Sequence, residues 1–292
     1  MERLVEGTPS SLPTMLKAAL PIVPGVNLLP GVAKKGGDLP DLRLTRKDVA
    51  IDLDHVAAYA EVCGFDGGRF KGQPLPLPYP HMLAFGLHMG IMTDSSFPYA
   101  AIGSVHLSNR ITQHRPIDPA ERLDVTAVAT NKRPHPKGTA FDLVTTVTSA
   151  GELVWDSTST YLRPGKGDKS AQGTGGDFDV VPGNGTEWKL AGNLGRRYAA
   201  VSGDHNPIHL YPLTAKALGF PRQIAHGMWS KARCIAAIES RLPDAVTVEV
   251  EFKKPILLPT KVAFGSRVVD GGIDFSITNP KSGAPHLVGR SR

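Results

Sequence analysis

The sequence predicts an α+β fold written twice, two units in one chain, each a central helix wrapped by an antiparallel sheet. Three observations predict it. Residues 59–66 read YAEVCGFD and residues 198–205 read YAAVSGDH, so tyrosine, alanine, valine and glycine recur at a constant offset of 139. Such self-similarity marks a duplicated structural unit. Each copy is followed by a proline-bearing approach to an apolar helix, LPLPYPHMLAFGLHMGIM with its helix beginning near His81 and PRQIAHGMWSKARCIAAI with its helix beginning near His226. Each helix is followed by alternating, β-rich sequence.

In chain order, residues 1–43 read as an extension, 44–165 as the first unit, 166–187 as a linker and 188–292 as the second unit. The extension contains SLPTMLKAALPIVPGVNLLPG, expected as a short helix and an extended segment laid on the body of the protein. It is not read as a signal peptide, because a basic n-region is lacking and Pro13, Lys17, Pro21 and Pro24 interrupt the apolar run. Strands are expected at 102–117, 122–131, 139–148 and 153–162 in the first unit. In the second they are expected at 246–256, 261–269, 273–278 and 286–290. The stretch 246–252, VTVEVEF, alternates with period 2 as a half-buried strand does. Pro116 and Pro255 fall at similar places in the two sets and suggest a bulge or an edge there. The linker is rich in glycine and polar residues.

With 292 residues, 41% hydrophobic and 21% charged, the chain has the composition of a soluble globular protein with room for a sizeable core. Its 31 glycines and 25 prolines are not periodic and predict many turns. Cys63 and Cys234 form neither a disulfide framework nor a zinc spacing, and read as reduced, buried thiols of a cytoplasmic protein. A formal charge of +6 suits an anionic partner. No helix-turn-helix, zinc pattern or basic run with interleaved aromatics points to nucleic acid. A phosphorylated cofactor or an acidic carrier protein would use the same field. No run of about 18 apolar residues predicts a membrane span. The final Gly289-Arg290-Ser291-Arg292 is neither a retention nor a peroxisomal signal.

The chemistry-bearing segment is Ser202-Gly203-Asp204-His205-Asn206-Pro207-Ile208-His209. Gly203 permits a tight turn after a helix. Pro207 fixes φ and pushes Asn206 out of the helical region. Asn206 can brace the turn through its side chain. The result is a rigid loop projecting Asp204 and His209, a carboxylate and an imidazole able to hold one water between them. Both residues could instead be turn caps.

The pattern Y-x-x-x-S-G-D-x-N-P-I-H resembles the hydratase 2 motif of the MaoC-like family of (R)-specific enoyl-CoA hydratases and 3-hydroxyacyl dehydratases. Ala225-His226-Gly227-Met228 matches the family's second signature. The resemblance covers the chain in outline and implies a double hotdog, most like the mycobacterial-type (3R)-hydroxyacyl-thioester dehydratases. It implies reversible hydration of a trans-2-enoyl thioester carried on coenzyme A or acyl carrier protein. Asp204 and His209 would divide the proton work, and the Gly227 amide would donate to the thioester oxygen. It implies no metal and no separate cofactor. Ser202, Gly203 and Asn206 would support the loop. A hotdog thioesterase or a non-catalytic acyl-CoA-binding scaffold are the alternatives. The thioesterase usually lacks this loop, and a pure binder needs neither acid nor base.

At the offset of 139, Phe65 stands for Asp204 and Phe70 for His209. The first unit is therefore expected to be catalytically dead, its two phenylalanines lining an acyl tunnel or simply packing. Two hotdogs in one chain mimic the usual dimer, so a monomer or a homodimer is expected. Tyr198 reads as packing and His226 as a cap or brace, a role its counterpart His81 shares. Met82 replaces Gly227 in the first unit, which favours a functional role for the glycine. His205 reads as incidental, and His106, His114 and His135 carry no expected role. Lys231, Arg233, Lys253 and Lys254 are candidates for coenzyme A phosphates or plain surface charge. Gly173-Thr174-Gly175-Gly176 lacks the lysine of a phosphate loop, and no G-x-S-x-G elbow is present.

Overall fold

Period-2 sequence closes into one sheet around two helices. The computed structural model describes residues 1–7, 34, 36–66, 72–173 and 175–292. The strands are β1 (Glu2–Leu4), β2 (Arg43–Val49), β3 (Val105–Gln113), β4 (Leu123–His135), β5 (Gly138–Ser149), β6 (Glu152–Pro164), β7 (Thr186–Leu190), β8 (Val246–Phe252), β9 (Thr260–Val269), β10 (Gly272–Thr278) and β11 (Pro285–Ser291). The helices are α1 (Leu53–Cys63), α2 (Pro80–Thr93), α3 (Leu194–Ser202), α4 (Pro207–Leu210), α5 (Pro212–Ala217) and α6 (Gly227–Ile238).

Among the described residues the strand order is β1-β2-β4-β5-β6-β3-β8-β11-β10-β9-β7. Numbering the five strands of each unit in chain order, both units run 1-3-4-5-2, and they meet where β3 pairs antiparallel with β8 from Ser108↔Glu251 to Gln113↔Val246. The duplication is thus a fold-level repeat, a double hotdog. α2 and α6 are the central helices. Each buries an apolar face, with Ala84, Leu87 and Ile91 on one and Ala232, Ile235 and Ile238 on the other.

The repeated helix ends match as well. α1 stops at Gly64 (φ 76°) and α3 at Gly203 (φ 74°), both in the left-handed region that glycine enters without penalty. These helices pack directly against each other. Tyr59 and Tyr198 lie 6.4 Å apart, and His55 Nε2 donates to the Val201 carbonyl at 2.7 Å. α6 is tied to the end of α1 by Trp229 Nε1–H donating to the Val62 carbonyl at 2.9 Å.

Several expectations need correction. β2 (RLTRKDV) and β7 (TEWKL), the first strand of each unit, carry charges that mask their period. β7 begins at Thr186, inside the range read as linker, and β2 begins at Arg43, inside the extension. Pro116 and Pro255 lie beyond the ends of β3 and β8, where a missing N–H costs the ladder nothing. The linker is tied along the sheet: the Gly176 amide donates to Glu251, the Arg290 guanidinium lies over Phe178, and the Val181 amide donates to Ser276 Oγ. Within the extension, β1 adds a parallel strand beside β2. The helix expected in the extension, Phe70 and Thr174 lie outside the described residues.

Candidate active site

The loop after α3 is built from successive short turns. The Asp204 amide donates to Ser202 Oγ at 3.1 Å, and the Asn206 amide to Asp204 Oδ1 at 3.1 Å. Asn206 then caps α4, its Oδ1 accepting from the Ile208 amide. Pro207 opens that helix, where its missing N–H has no intrahelical partner to lose. One turn later α4 presents His209. Ser202, Gly203 and Asn206 therefore set the direction of Asp204 and His209.

His209 is buried, and its Nδ1–H donates to the Ile224 carbonyl at 2.9 Å. That bond selects the tautomer and leaves Nε2 as a free base. Burial lowers its pKa, and the Asp204 charge and the Ile224 carbonyl only partly oppose this. His209 is neutral at neutral pH. The Asp204 side chain is 26% exposed and opens onto a cavity of about 450 Å³, within the range of small-molecule sites.

His226 is the residue before α6. Its Nε2–H donates to the Asp204 carbonyl at 3.0 Å, and its ring stacks on His209 at 3.7 Å. It braces both candidate catalytic residues. Burial holds its pKa well below the ordinary value, and the neighbouring His209 lowers it further. Asp204, His209 and His226 offer ligand-type atoms all within 4.8 Å of one another. Each imidazole donates through one nitrogen to a backbone carbonyl, and the remaining nitrogen of His226, Nδ1, is sealed off from solvent, so the acid–base pair at hand is the Asp204 carboxylate and His209 Nε2.

Gly227 is the first residue of α6 and lines the same cavity. A first-turn amide has no intrahelical acceptor, and the helix end carries partial positive charge. A β-carbon on Gly227 would come within 3.0 Å of Phe252, so glycine leaves the approach to this amide open.

The first unit supplies the opposite wall through His81, Met82, Phe85, Ile102, His106 and Tyr161. Leu218, Phe220 and Phe252 come from the second. Phe65 is not among the lining residues. It is 6% exposed and stacks on Tyr59 at 6.2 Å, because the left-handed turn at Gly64 directs the chain into the core. Among the described phenylalanines of the first unit, it is Phe85 that lines the cavity. His106, assigned no role from sequence, lines the cavity because β3 turns it inward. Tyr198 packs on Tyr59 and also reaches the cavity wall.

Lys231 is fully buried and donates to the Asn109 carbonyl, Asn109 Oδ1 and the Val248 carbonyl, so it cannot meet a coenzyme A phosphate. Burial depresses its pKa well below the usual lysine value. Arg233 lies over Trp188 and donates to the Gly64 carbonyl. Lys253 pairs with Glu251; it and exposed Lys254 lie at the cavity's rim.

A further contributor had no sequence signal. Gly195 on α3 lies against the backbone of α4: a β-carbon there would overlap the His209 carbonyl oxygen and stand 2.9 Å from its carbonyl carbon. Its lack of a side chain lets the two helices approach closely enough to seat His209.

The MaoC-like domain family matches residues 186–284. The chain is 38% identical over 289 residues to 3-hydroxyacyl-thioester dehydratase X of Mycobacterium tuberculosis, covering 97% of this chain and 98% of that protein. The crystal structure of HtdX from the same organism superposes with a TM-score of 0.75 at 39% identity, covering 86% of this chain and 99% of that one. A conserved hypothetical protein of M. tuberculosis with a double hotdog fold shares the fold alone, at 13% identity and a TM-score of 0.53 over 88% of this chain and 95% of that one. A whole-length match to a dehydratase, together with this loop and this doubled sheet, establishes that the chain belongs to the MaoC-like hydratase/dehydratase family.

Proposed function

We propose that the chain is a hydro-lyase that interconverts trans-2-enoyl and (3R)-3-hydroxyacyl thioesters, carried on coenzyme A or acyl carrier protein. One observation carries the reading: a half-buried carboxylate and a neutral imidazole with a free Nε2 stand on one cavity wall beside the first amide of a buried helix. In hydration, Asp204 and His209 hold the water. His209 Nε2 takes its proton as the oxygen bonds to C3. The electron pair of the double bond moves onto the thioester oxygen, which the Gly227 amide and the α6 terminus stabilise. Return of a proton to C2 from the Asp204–His209 pair completes the addition.

The apolar wall around Phe85, Ile102, Leu218 and Phe220 suits an acyl chain. The exposed Lys254 at the rim suits an anionic carrier. No described helix is long and apolar enough to cross a membrane. Two buried free thiols favour the cytoplasm. The joined sheets favour activity as a monomer, with a homodimer also compatible. The reaction requires no metal or cofactor beyond the carrier, so dialysis against EDTA leaves the rate unchanged.

The test is loss of the conjugated absorbance of crotonyl-CoA and longer 2-enoyl-CoAs. Asp204→Asn and His209→Ala each lower kcat by about 10²–10⁴-fold, the contribution of a positioned acid or base. Absence of hydration at every chain length, or full activity in both variants, refutes the proposal.

A further inference from the structure

Tyr161 belongs to the unit without the acid–base pair, yet it lies on the wall of the cavity that holds Asp204. On β6 it is registered opposite His106 of β3 and Phe141 of β5. Its ring stacks on His106 at 4.4 Å and 13°, and on Phe141 at 5.8 Å and 17°. His106 continues the row to Phe252 at 4.9 Å, and Phe252 packs against Gly227. A row of four rings therefore crosses the β3–β8 junction and ends at the candidate oxyanion donor. Held on both faces, the Tyr161 ring cannot swing, so its hydroxyl has a set position.

That hydroxyl is uncommitted. It has no hydrogen-bond partner among the described residues. Among the described residues the sealed-off, unpartnered side-chain atoms belong to Tyr59, His81, His88, His106, Gln223 and His226, and Tyr161 is not one of them, so its hydroxyl opens onto the cavity. Burial and the Asp204 charge both push its pKa up, which keeps the phenol a donor throughout the working range.

We propose that Tyr161 is a further catalytic residue whose O–H donates to the oxygen at C3 of the bound thioester, the leaving hydroxyl in dehydration and the incoming one in hydration. The unit that lacks the acid and base thus supplies a fixed donor to the reacting oxygen. This rests on the hydratase reading of Asp204 and His209.

The experiment is Tyr161→Phe, which keeps the stacked ring and removes only the hydroxyl. Steady-state hydration of crotonyl-CoA should show kcat about tenfold lower, the effect of losing one hydrogen bond to a reacting oxygen. The inhibition constant of butyryl-CoA, which has no oxygen at C3, should stay within twofold of the parent. Thermal melts of both proteins confirm the same fold. Asp204→Asn and His209→Ala are measured alongside. If they lose activity while Tyr161→Phe keeps kcat within twofold, the Tyr161 proposal alone is overturned. A matched loss of butyryl-CoA binding overturns it too, because the hydroxyl would then serve binding away from C3. If Asp204→Asn and His209→Ala stay active, both readings fall together.

Discussion

Gly195→Ala tests how closely the seat of His209 is determined by backbone packing. A methyl at this position would overlap the His209 carbonyl oxygen and stand 2.9 Å from the carbonyl carbon and 3.4 Å from Cβ. Non-bonded atoms in ordinary contact sit about 3.5–4.0 Å apart, and the overlap with the carbonyl oxygen is the tightest, so α4 must retreat, or α3 tilt, by at least about 1 Å. A misplacement of about 1 Å of a catalytic group costs about 10²-fold in rate. The stability change is smaller. Crowding costs about 1–3 kcal/mol, and alanine recovers about 1 kcal/mol over glycine within a helix. The net loss is about 0–2 kcal/mol, a few degrees in Tm. The assay pairs steady-state hydration of crotonyl-CoA with a thermal melt. The expected outcome is a kcat about 100-fold lower in a protein that still melts cooperatively within a few degrees of the parent. A variant with kcat within threefold of the parent would show that α4 absorbs the methyl without moving His209, and would refute the argument.

Burial lowers the His209 pKa, so kcat/KM for hydration should be flat at neutral pH and lost as pH falls through a value below about 6.5; a limb centred at or above that value contradicts the neutral, burial-shifted imidazole. Burial holds His88 at about 4 and His106 at about 3, while both titrate near 6.5 when unfolded, so the unfolded chain takes up these protons first. Stability is therefore complete above about pH 6.5 and falls as pH drops towards 4. The gap for His88 alone amounts to about 3 kcal/mol, and a urea midpoint unchanged between pH 7 and 4.5 would be the contrary result. Phe65→Leu should lower stability by about 1 kcal/mol and leave the chain-length profile alone, whereas Phe85→Ala should shift it towards longer acyl chains; 2-enoyl-CoAs of graded length decide. Lys231→Ala strands three buried acceptors and should cost about 3 kcal/mol in urea unfolding with KM for acyl-CoA unchanged, and a raised KM with unchanged stability would return it to the carrier site.

The duplication was legible because helix ends and central helices are local patterns. Gly64 and Gly203 mark the same left-handed turn, and the apolar runs after them become α2 and α6. Eight strands lie within a few residues of their expected positions because one face of each is buried and its alternation survives. β2 and β7 escaped notice because flanking charges blur the period of short strands. The Asp204 loop was legible for the same local reason: its turns close within eight residues through Ser202, Asp204 and Asn206.

The other wall of the site was not legible. Tyr161, His106 and Phe85 come from the first unit, and no spacing along the chain relates them to Asp204. Phe65 aligns with Asp204 in the repeat yet points into the core, because equivalence by offset locates a backbone and not the space its side chain enters. Lys231 reads as a surface cation until Asn109 and Val248 close over it across the β3–β8 junction. Gly195 carries no signal at all, since what matters there is the backbone of another helix. Short-range turn chemistry shaped the acid–base loop, whereas pairing between residues more than a hundred positions apart decided what faces it.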